Sequence, residues 1–441
     1  MTLPVAVVGG GFAGVAAACR LAGDGVPVVL LEQAARLGGR AGGFHDRTTG
    51  EDVDLGQHVS MRCCTATCGF LQRIGARDLI CYQSRLSVPI LIEGARAILR
   101  SEPLLPGPLH LFPALLAYRA LSFPERLRIL RAAGALLLGP RPSRPFGPWL
   151  RERAQTERTI GRLWDPVCVA TLNAHVDDVD LRAARKVFRD GIFSPDGAGL
   201  GLFTAPLARI FDAARTYIED RGGEVRCGSR VRALRTEGEC VMGAELTSGD
   251  VVECAAAIAA VPPWDLAGLV PDGALRDILD GAGRLTWAPI VDVHLWLDRP
   301  VLDEAFAIAV DSPVQAIFDT DRIYGAPRKG RSKLVLSQSA VAPWIDRPID
   351  EIAAELVTAL ADLLPAVREA RLTRRWVTLH RRATFVPAPG IDSFRPSSKT
   401  PIGGFHLAGD WTATGWPATI EGAIRSGIAA AGRATIDDGS S

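Results

Sequence analysis

Gly9, Gly11 and Gly14 stand in G-x-G-x-x-G spacing, and an acid, Glu32, lies 18 residues past the last of them (32 − 14). These residue types in this order can hold a dinucleotide. The first glycine permits a tight turn, the second lets backbone approach a pyrophosphate, and the third lets a helix pack on a strand. The N–H groups that open such a helix, here at Phe12 and Ala13, present unpaired donors and a positive dipole end to phosphate. Glu32, with Gln33 beside it, can accept hydrogen bonds from a ribose hydroxyl. A second glycine turn, Gly38-Gly39-Arg40, follows shortly after. Its guanidinium can reach the same pyrophosphate. Far along the chain, "LAGDWTATGWPATIEGAIRSG" sets Gly409 and Asp410 between a short apolar run and a helix-like stretch.

Particular elements must position these groups. Val5 to Val8 reads as a buried strand, Val15 to Leu21 as the first turns of a helix, and Val26 to Leu31 as a second strand. Strand, glycines, helix, strand and acid then fall in order within one unit of about 30 residues. Pro417 suits an early helical position, where it forfeits no N–H bond, so Pro417, Ala418 and Thr419 are expected to open the last helix. "LARIFDAARTYIEDRGG" reads as a helix stopped by Gly222-Gly223, and the segments after it as strands. "PIVDVHLWL", "KLVLSQSA" and "TRRWVTLHRRATF" also read as strands, and "IDEIAAELVTALADLLP" as an amphipathic helix ended by Pro365. We assign this last group to packing and give it no chemistry.

Composition excludes several function classes. Lys plus Arg (50) nearly cancels Asp plus Glu (49), leaving a net charge of +1, so nucleic acid is not an expected partner. Nine cysteines include Cys63, Cys64 and Cys68, but no second cluster stands at zinc spacing, so no metal is expected. The first residues lack a basic stretch ahead of the apolar run, which argues against a signal peptide and for a reduced, cytoplasmic setting. Leu104 to Leu138 is rich in Leu and Ala but is broken by Pro106, Pro108, Pro113 and Pro124. It reads as two short helices with apolar faces, and Arg119, Arg126, Arg128 and Arg131 are placed to meet anionic headgroups at a membrane surface.

The Glu-to-"LGGR" segment resembles the flavin-containing amine oxidase and carotenoid desaturase superfamily. "DLGQHV" (Asp54 to Val59), "RLWDPVCVATLN" (Arg162 to Asn173), "RRATFVPAPG" and the "GDW" segment together resemble the hydroxysqualene dehydroxylase family over nearly the whole chain. Leu55 stands where that family usually has Asn. The resemblance implies an α/β fold: a Rossmann-like FAD-binding domain built from residues 1–60, 206–265 and 395–436, with an inserted α+β substrate domain from 61–205 and 266–394. It implies FAD as cofactor, with Val231 beside the adenine and Asp410 at the ribityl hydroxyls. Pro262, in the Ala260–Pro263 crossover, would lie near the cofactor, as would Gly56 and His58.

The same resemblance implies a reaction. Reduced FAD would deliver a hydride to the allylic carbon of hydroxysqualene as water leaves. The partners would be a C30 isoprenoid and the cytoplasmic face of a membrane. Hydroxide is a poor leaving group, so an acid should protonate it, and His58, Asp54 and Asp165 are the candidates. Trp411 and Trp416 are candidates to stabilise positive charge on the allylic carbon. No second nucleotide motif is apparent, so direct use of NADPH is not expected and the electron donor stays open. The alternative is a carotenoid-type desaturase, in which hydride runs from substrate to flavin.

Overall fold

In the computed structural model, which describes residues 3–438 apart from 141, 271–272 and 327–329, the N-terminal apolar run lies at the centre of a five-stranded parallel sheet. The strand order is Glu224–Cys227, Val28–Glu32, Val5–Val8, Ala256–Ala259 and Phe405–Leu407. Strands buried on both faces must be apolar throughout, and these are. Val5, Val7, Val28 and Leu30 pack against the helices Phe12–Gly23, Ala208–Glu219 and Ile420–Asp438. Ala6, Val8, Val29 and Leu31 pack against an antiparallel sheet of Val231–Glu237, Cys240–Leu246 and Val251–Glu253. The N-terminal, middle and C-terminal segments thus share one sheet, as a Rossmann-like α/β fold requires.

A seven-stranded sheet forms the second layer. Its order is Leu372–Phe385, Trp287–Leu297, Ser332–Ser339, Ala316–Asp319, Phe306–Ala309, Ser87–Ile92 and Ala95–Arg100. The strand Trp287–Leu297, second in that order, alternates between two faces. Val291, Val293, Leu295 and Leu297 pack against the helix Ile349–Leu363, which offers Ile352, Leu356 and Leu360 at helical spacing. Ile290, Asp292, His294 and Trp296 therefore point to the opposite face. Register places Ser337 across from Asp292 on one side and Thr378 on the other, with His380 across from Ile290. That face is turned toward the nucleotide-binding layer.

Two expectations need correction. The last helix begins at Ile420, and Thr419 caps it by accepting the Gly422 N–H at 3.1 Å. A hydroxyl at the cap satisfies a free helix donor, which Pro417 cannot do, so Pro417 and Ala418 lie in the turn before the helix. In the Leu104–Leu138 region, Phe112–Ala117 and Phe123–Leu138 are the two helices. Arg126, however, is turned inward, donating to Leu121 O at 2.8 Å and Leu116 O at 2.5 Å. These two bonds close the end of the preceding helix and commit part of the guanidinium to backbone. Among the described residues no helix is long and apolar enough to cross a membrane.

Candidate active site

The glycine turn is built from close backbone contacts. Gly9 has φ of +105°, and a Cβ on Gly14 would lie 1.8 Å from the Gly9 carbonyl oxygen. Gly11 is different, because the nearest atom to a Cβ there is Gly39 Cα at 3.9 Å. Gly9 and Gly14 are thus required by packing, whereas Gly11 opens onto free space. Glu32 is buried, accepting from Gly10 N at 2.6 Å and Ala34 N at 2.7 Å. Gly38 N donates to Gly10 O at 2.9 Å, which fastens the second glycine turn to the first. Gly11 caps the first helix without a side-chain bond, so the helix presents its opening N–H groups to that space.

Arg40 leaves the second turn and reaches across the chain. Its Nη1 donates to Ala383 O at 2.7 Å, and its Nη2 donates to Asp410 Oδ1. The "GDW" turn is anchored from several sides: Gly409 N donates to Ser426 Oγ at 2.8 Å, and the buried Arg395 donates to Asp410 O at 3.0 Å. Trp411 Nε1 donates to Val261 O at 3.0 Å, linking this turn to the 260–263 crossover. Glu421 accepts from Ala66 N at 3.0 Å and Thr67 N at 2.8 Å, capping the helix Thr65–Arg73 with a carboxylate.

These groups open onto one continuous cavity of about 1170 Å³. Of the residues expected at a cofactor, Gly9, Gly11, Phe12, Ala13, Glu32, Gln33, Gly39, Arg40, Gly56, His58, Val231, Pro262, Gly409, Asp410, Pro417, Ala418 and Thr419 all line it. Gly14 does not, because it is packed beneath Gly9. Away from the glycines the wall becomes apolar, with Leu86, Val88, Ile90, Leu163, Phe306 and Phe318 among its residues. The cavity therefore joins a nucleotide-binding end to an apolar end, between the two sheets and the helical region.

The expected acids fare unequally. Asp54 does not line the cavity. Its carboxyl accepts from Leu207 N at 2.9 Å and Tyr324 OH at 3.2 Å, and burial pushes its pKa up to about 7. His58 lines the cavity, but burial pushes its pKa down to about 4. Its Nδ1 lies 3.1 Å from Gly56 O, a carbonyl that can only accept. The proton therefore sits on Nδ1 and Nε2 is bare, so neutral His58 has no proton to offer from Nε2. Asp165 lines the wall with both oxygens engaged, one 2.8 Å from His175 Nδ1 and the other 2.9 Å from Val176 N. The Asp165 hydrogen bond raises the pKa of His175.

Both tryptophans line the cavity. Trp411 is only 1% exposed, and its Nε1 bond clamps the turn. Trp416 lines the cavity, but Lys186 Nζ lies 4.2 Å from its ring centroid and Arg425 Cζ 4.9 Å. A ring already engaged by two cations offers little to a third positive charge.

Sequence reasoning missed the polar groups of the long strands. Asp292 is 2% exposed, lines the cavity, and leaves Oδ1 without a hydrogen-bond partner. Burial pushes its pKa up to about 7, against the opposing pull of the Ser337 hydroxyl and the Gln57 amide. His380 Nε2 is likewise buried and unpartnered, and burial, followed by the charge of Arg40, lowers its pKa. The available signal was an ionisable residue at two alternate positions of an otherwise apolar strand, Asp292 then His294.

Fold and site together define a flavin-dependent oxidoreductase. The chain belongs to the flavin containing amine oxidoreductase family, whose sequence model matches residues 12–435. The family supplies a flavin and the glycine fingerprint with Glu32 supplies a dinucleotide site, so the cofactor is FAD. Hydroxysqualene dehydroxylase of Rhodopseudomonas palustris is 28% identical over 452 residues, 98% of this chain and 100% of that one. Probable zeta-carotene desaturase of Synechococcus elongatus is 25% identical, covering 97% of each chain. Among solved structures, an oxidoreductase from Methanosarcina mazei matches with a TM-score of 0.76 at 16% identity, covering 97% of this chain and 99% of that one. Wild-type putrescine oxidase matches at 0.72 and 16%, covering 99% of each. These structures share the fold.

Proposed function

We propose that this protein reduces hydroxysqualene to squalene with loss of water. The observation that carries this reading is the cavity: one continuous space joins the dinucleotide fingerprint to an apolar wall, and Asp292 and His380, each with a buried atom that lacks a hydrogen-bond partner, line it. Such a space suits a hydrocarbon chain with one polar atom near its middle. The full-length similarity to a hydroxysqualene dehydroxylase supports the same reading.

In this reading residues 1–60, 206–265 and 395–436 hold FAD, and 61–205 with 266–394 hold the substrate. The helix start at Phe12 and Ala13 receives the pyrophosphate, and Glu32 takes the adenosine ribose. Val231 meets the adenine, and Asp410, steadied by Arg40, takes the ribityl chain. Pro262, Gly56 and the Thr419-capped helix enclose the ring end. Bound and reduced, FAD supplies the hydride. The polypeptide orients the two partners, excludes water and manages the proton of the leaving group.

The substrate is almost insoluble in water, so we assign its entry to a membrane surface. Leu104, Phe123 and Leu138 are 90%, 65% and 91% exposed, and Arg119 and Arg131 are exposed beside them. This pattern suits a helical region lying in the headgroup layer.

A desaturase running hydride from substrate to flavin is the second reading, favoured by the zeta-carotene desaturase similarity across both full chains. Two anaerobic incubations separate them. Photoreduced enzyme is mixed with hydroxysqualene, and oxidised enzyme with phytoene. Squalene in the first with no reaction in the second supports the dehydroxylase; flavin reduction by phytoene supports the desaturase.

A further inference from the structure

We propose that Asp292 is the proton donor to the departing hydroxyl, an assignment that rests on the dehydroxylase reading above. Asp292 stands on the cavity-facing side of the strand Trp287–Leu297, beneath the loop that carries Gly56 and His58. A Cβ on Gly56 would lie 2.5 Å from Asp292 Oδ2, so the loop closes directly over the carboxyl. Oδ1 has no hydrogen-bond partner. The other nine-tenths-buried acids of the wall are engaged: Glu32 by two backbone amides, Asp410 by Arg40, and Glu421 by Arg425 and Thr67. Asp292 alone among these faces the cavity with a free oxygen and no cation beside it. A carboxyl in that setting is held neutral and can donate.

Its neighbours favour the same state. His58 and His380 share the wall and are both held neutral by burial, so neither offers Asp292 a positive partner. The Ser337 hydroxyl and the Gln57 backbone amide pull toward the charged form, and burial outweighs them. His294, next along the same face, is also held neutral, by burial and by the charge of Lys333. Arg40, whose charge acts on His380, is committed to Asp410.

The step balances. The carboxyl proton passes to the substrate hydroxyl oxygen, and the C–O bond breaks with both electrons leaving on water. Bound reduced FAD would supply the hydride for the new C–H bond and would be left oxidised. Asp292 is left as a carboxylate beside a carbon that carried positive charge, and it regains its proton from solvent. General-acid assistance of this kind contributes about 10²- to 10⁴-fold.

The test combines rates with a measurement that needs no turnover. In anaerobic single turnover of photoreduced enzyme with hydroxysqualene, wild-type flavin reoxidation should slow as pH rises through about 7. Asp292→Asn should be about 10²- to 10⁴-fold slower while keeping its FAD absorbance and melting temperature. Ser337→Ala removes a bond that favours the charged form, so the falling limb should move to higher pH. Infrared spectra of substrate-free enzyme near pH 6 should show protonated-carboxyl absorption from both Asp54 and Asp292, and Asp292→Asn should remove a component that Asp54→Asn leaves in place. Wild-type speed in Asp292→Asn, an unmoved limb in Ser337→Ala, or a band indifferent to Asp292→Asn overturns the assignment while the dehydroxylase reading stands. A wild-type enzyme that forms no squalene overturns that reading itself, and this role with it.

Discussion

Arg40 and Asp410 stand 370 residues apart in the chain and share an ion pair on the cavity wall. The pair ties the second glycine turn to the turn that opens the last helix. It fixes where the two ends of the chain meet around the cofactor space. Asp410→Asn removes the charge that holds Arg40. The Arg40 side chain is 33% exposed, so solvent screens the pair and the loss is about 1–2 kcal/mol, below that of a fully buried pair. FAD affinity should fall about 5- to 30-fold, measured by fluorescence titration of the apoprotein. Unchanged affinity would show that the pair does not shape the cofactor site.

The glycines separate folding from cofactor binding. Gly14→Ala puts a methyl 1.8 Å from a backbone oxygen, and backbone cannot step aside cheaply. It should cost about 1–3 kcal/mol and lower the melting temperature of the apoprotein. Gly11→Ala meets nothing closer than 3.9 Å and should melt like wild type. It should nonetheless bind FAD weakly, because its methyl would intrude into the space proposed for the pyrophosphate. Calorimetry and FAD titration on the same two proteins check the split.

Much of this was legible in the sequence, and the limit has a physical cause. The fingerprint from Gly9 to Glu32 is local, so spacing alone reveals it. The strand 287–297 was legible as a strand, but not which face of it would meet the cofactor layer. Asp292 was therefore read as packing, although an acid in an apolar alternation is a signal in itself. Asp54 is a candidate acid in the sequence, but the strand Glu51–Asp54 turns its carboxyl toward Leu207 and Tyr324. The cations at Trp416 come from Lys186 and Arg425, and only tertiary structure brings Lys186 there.

Stability against pH should show two opposing effects. Burial raises Asp54 and Asp292 to about 7. Their contribution to stability is full below pH about 4 and is lost as pH rises through about 7. Burial lowers His58 and His294 to about 4. Their contribution is full above pH about 6.5 and is lost as pH falls through about 4. Between these limits the slopes oppose, so wild-type apoprotein should change little. Asp54→Asn removes one falling slope, and its stability should rise with pH across the same window. Urea midpoints at several pH values check this, and parallel profiles would contradict it.

Membrane contact predicts a surface effect without a folding effect. Leu104, Phe123 and Leu138 are exposed, whereas Leu115, Tyr118 and Leu121 of the same region are core. Replacing the three exposed residues with Ser should lower flotation with anionic liposomes several-fold and leave the melting temperature within about 1–2 °C. Equal flotation of variant and wild type would remove this region from the interface.

The central claim is that this cavity reduces an allylic alcohol. Photoreduced enzyme, mixed anaerobically with one equivalent of hydroxysqualene, should return to oxidised flavin and yield one squalene per flavin. Flavin that stays reduced, with hydroxysqualene recovered intact, contradicts the account.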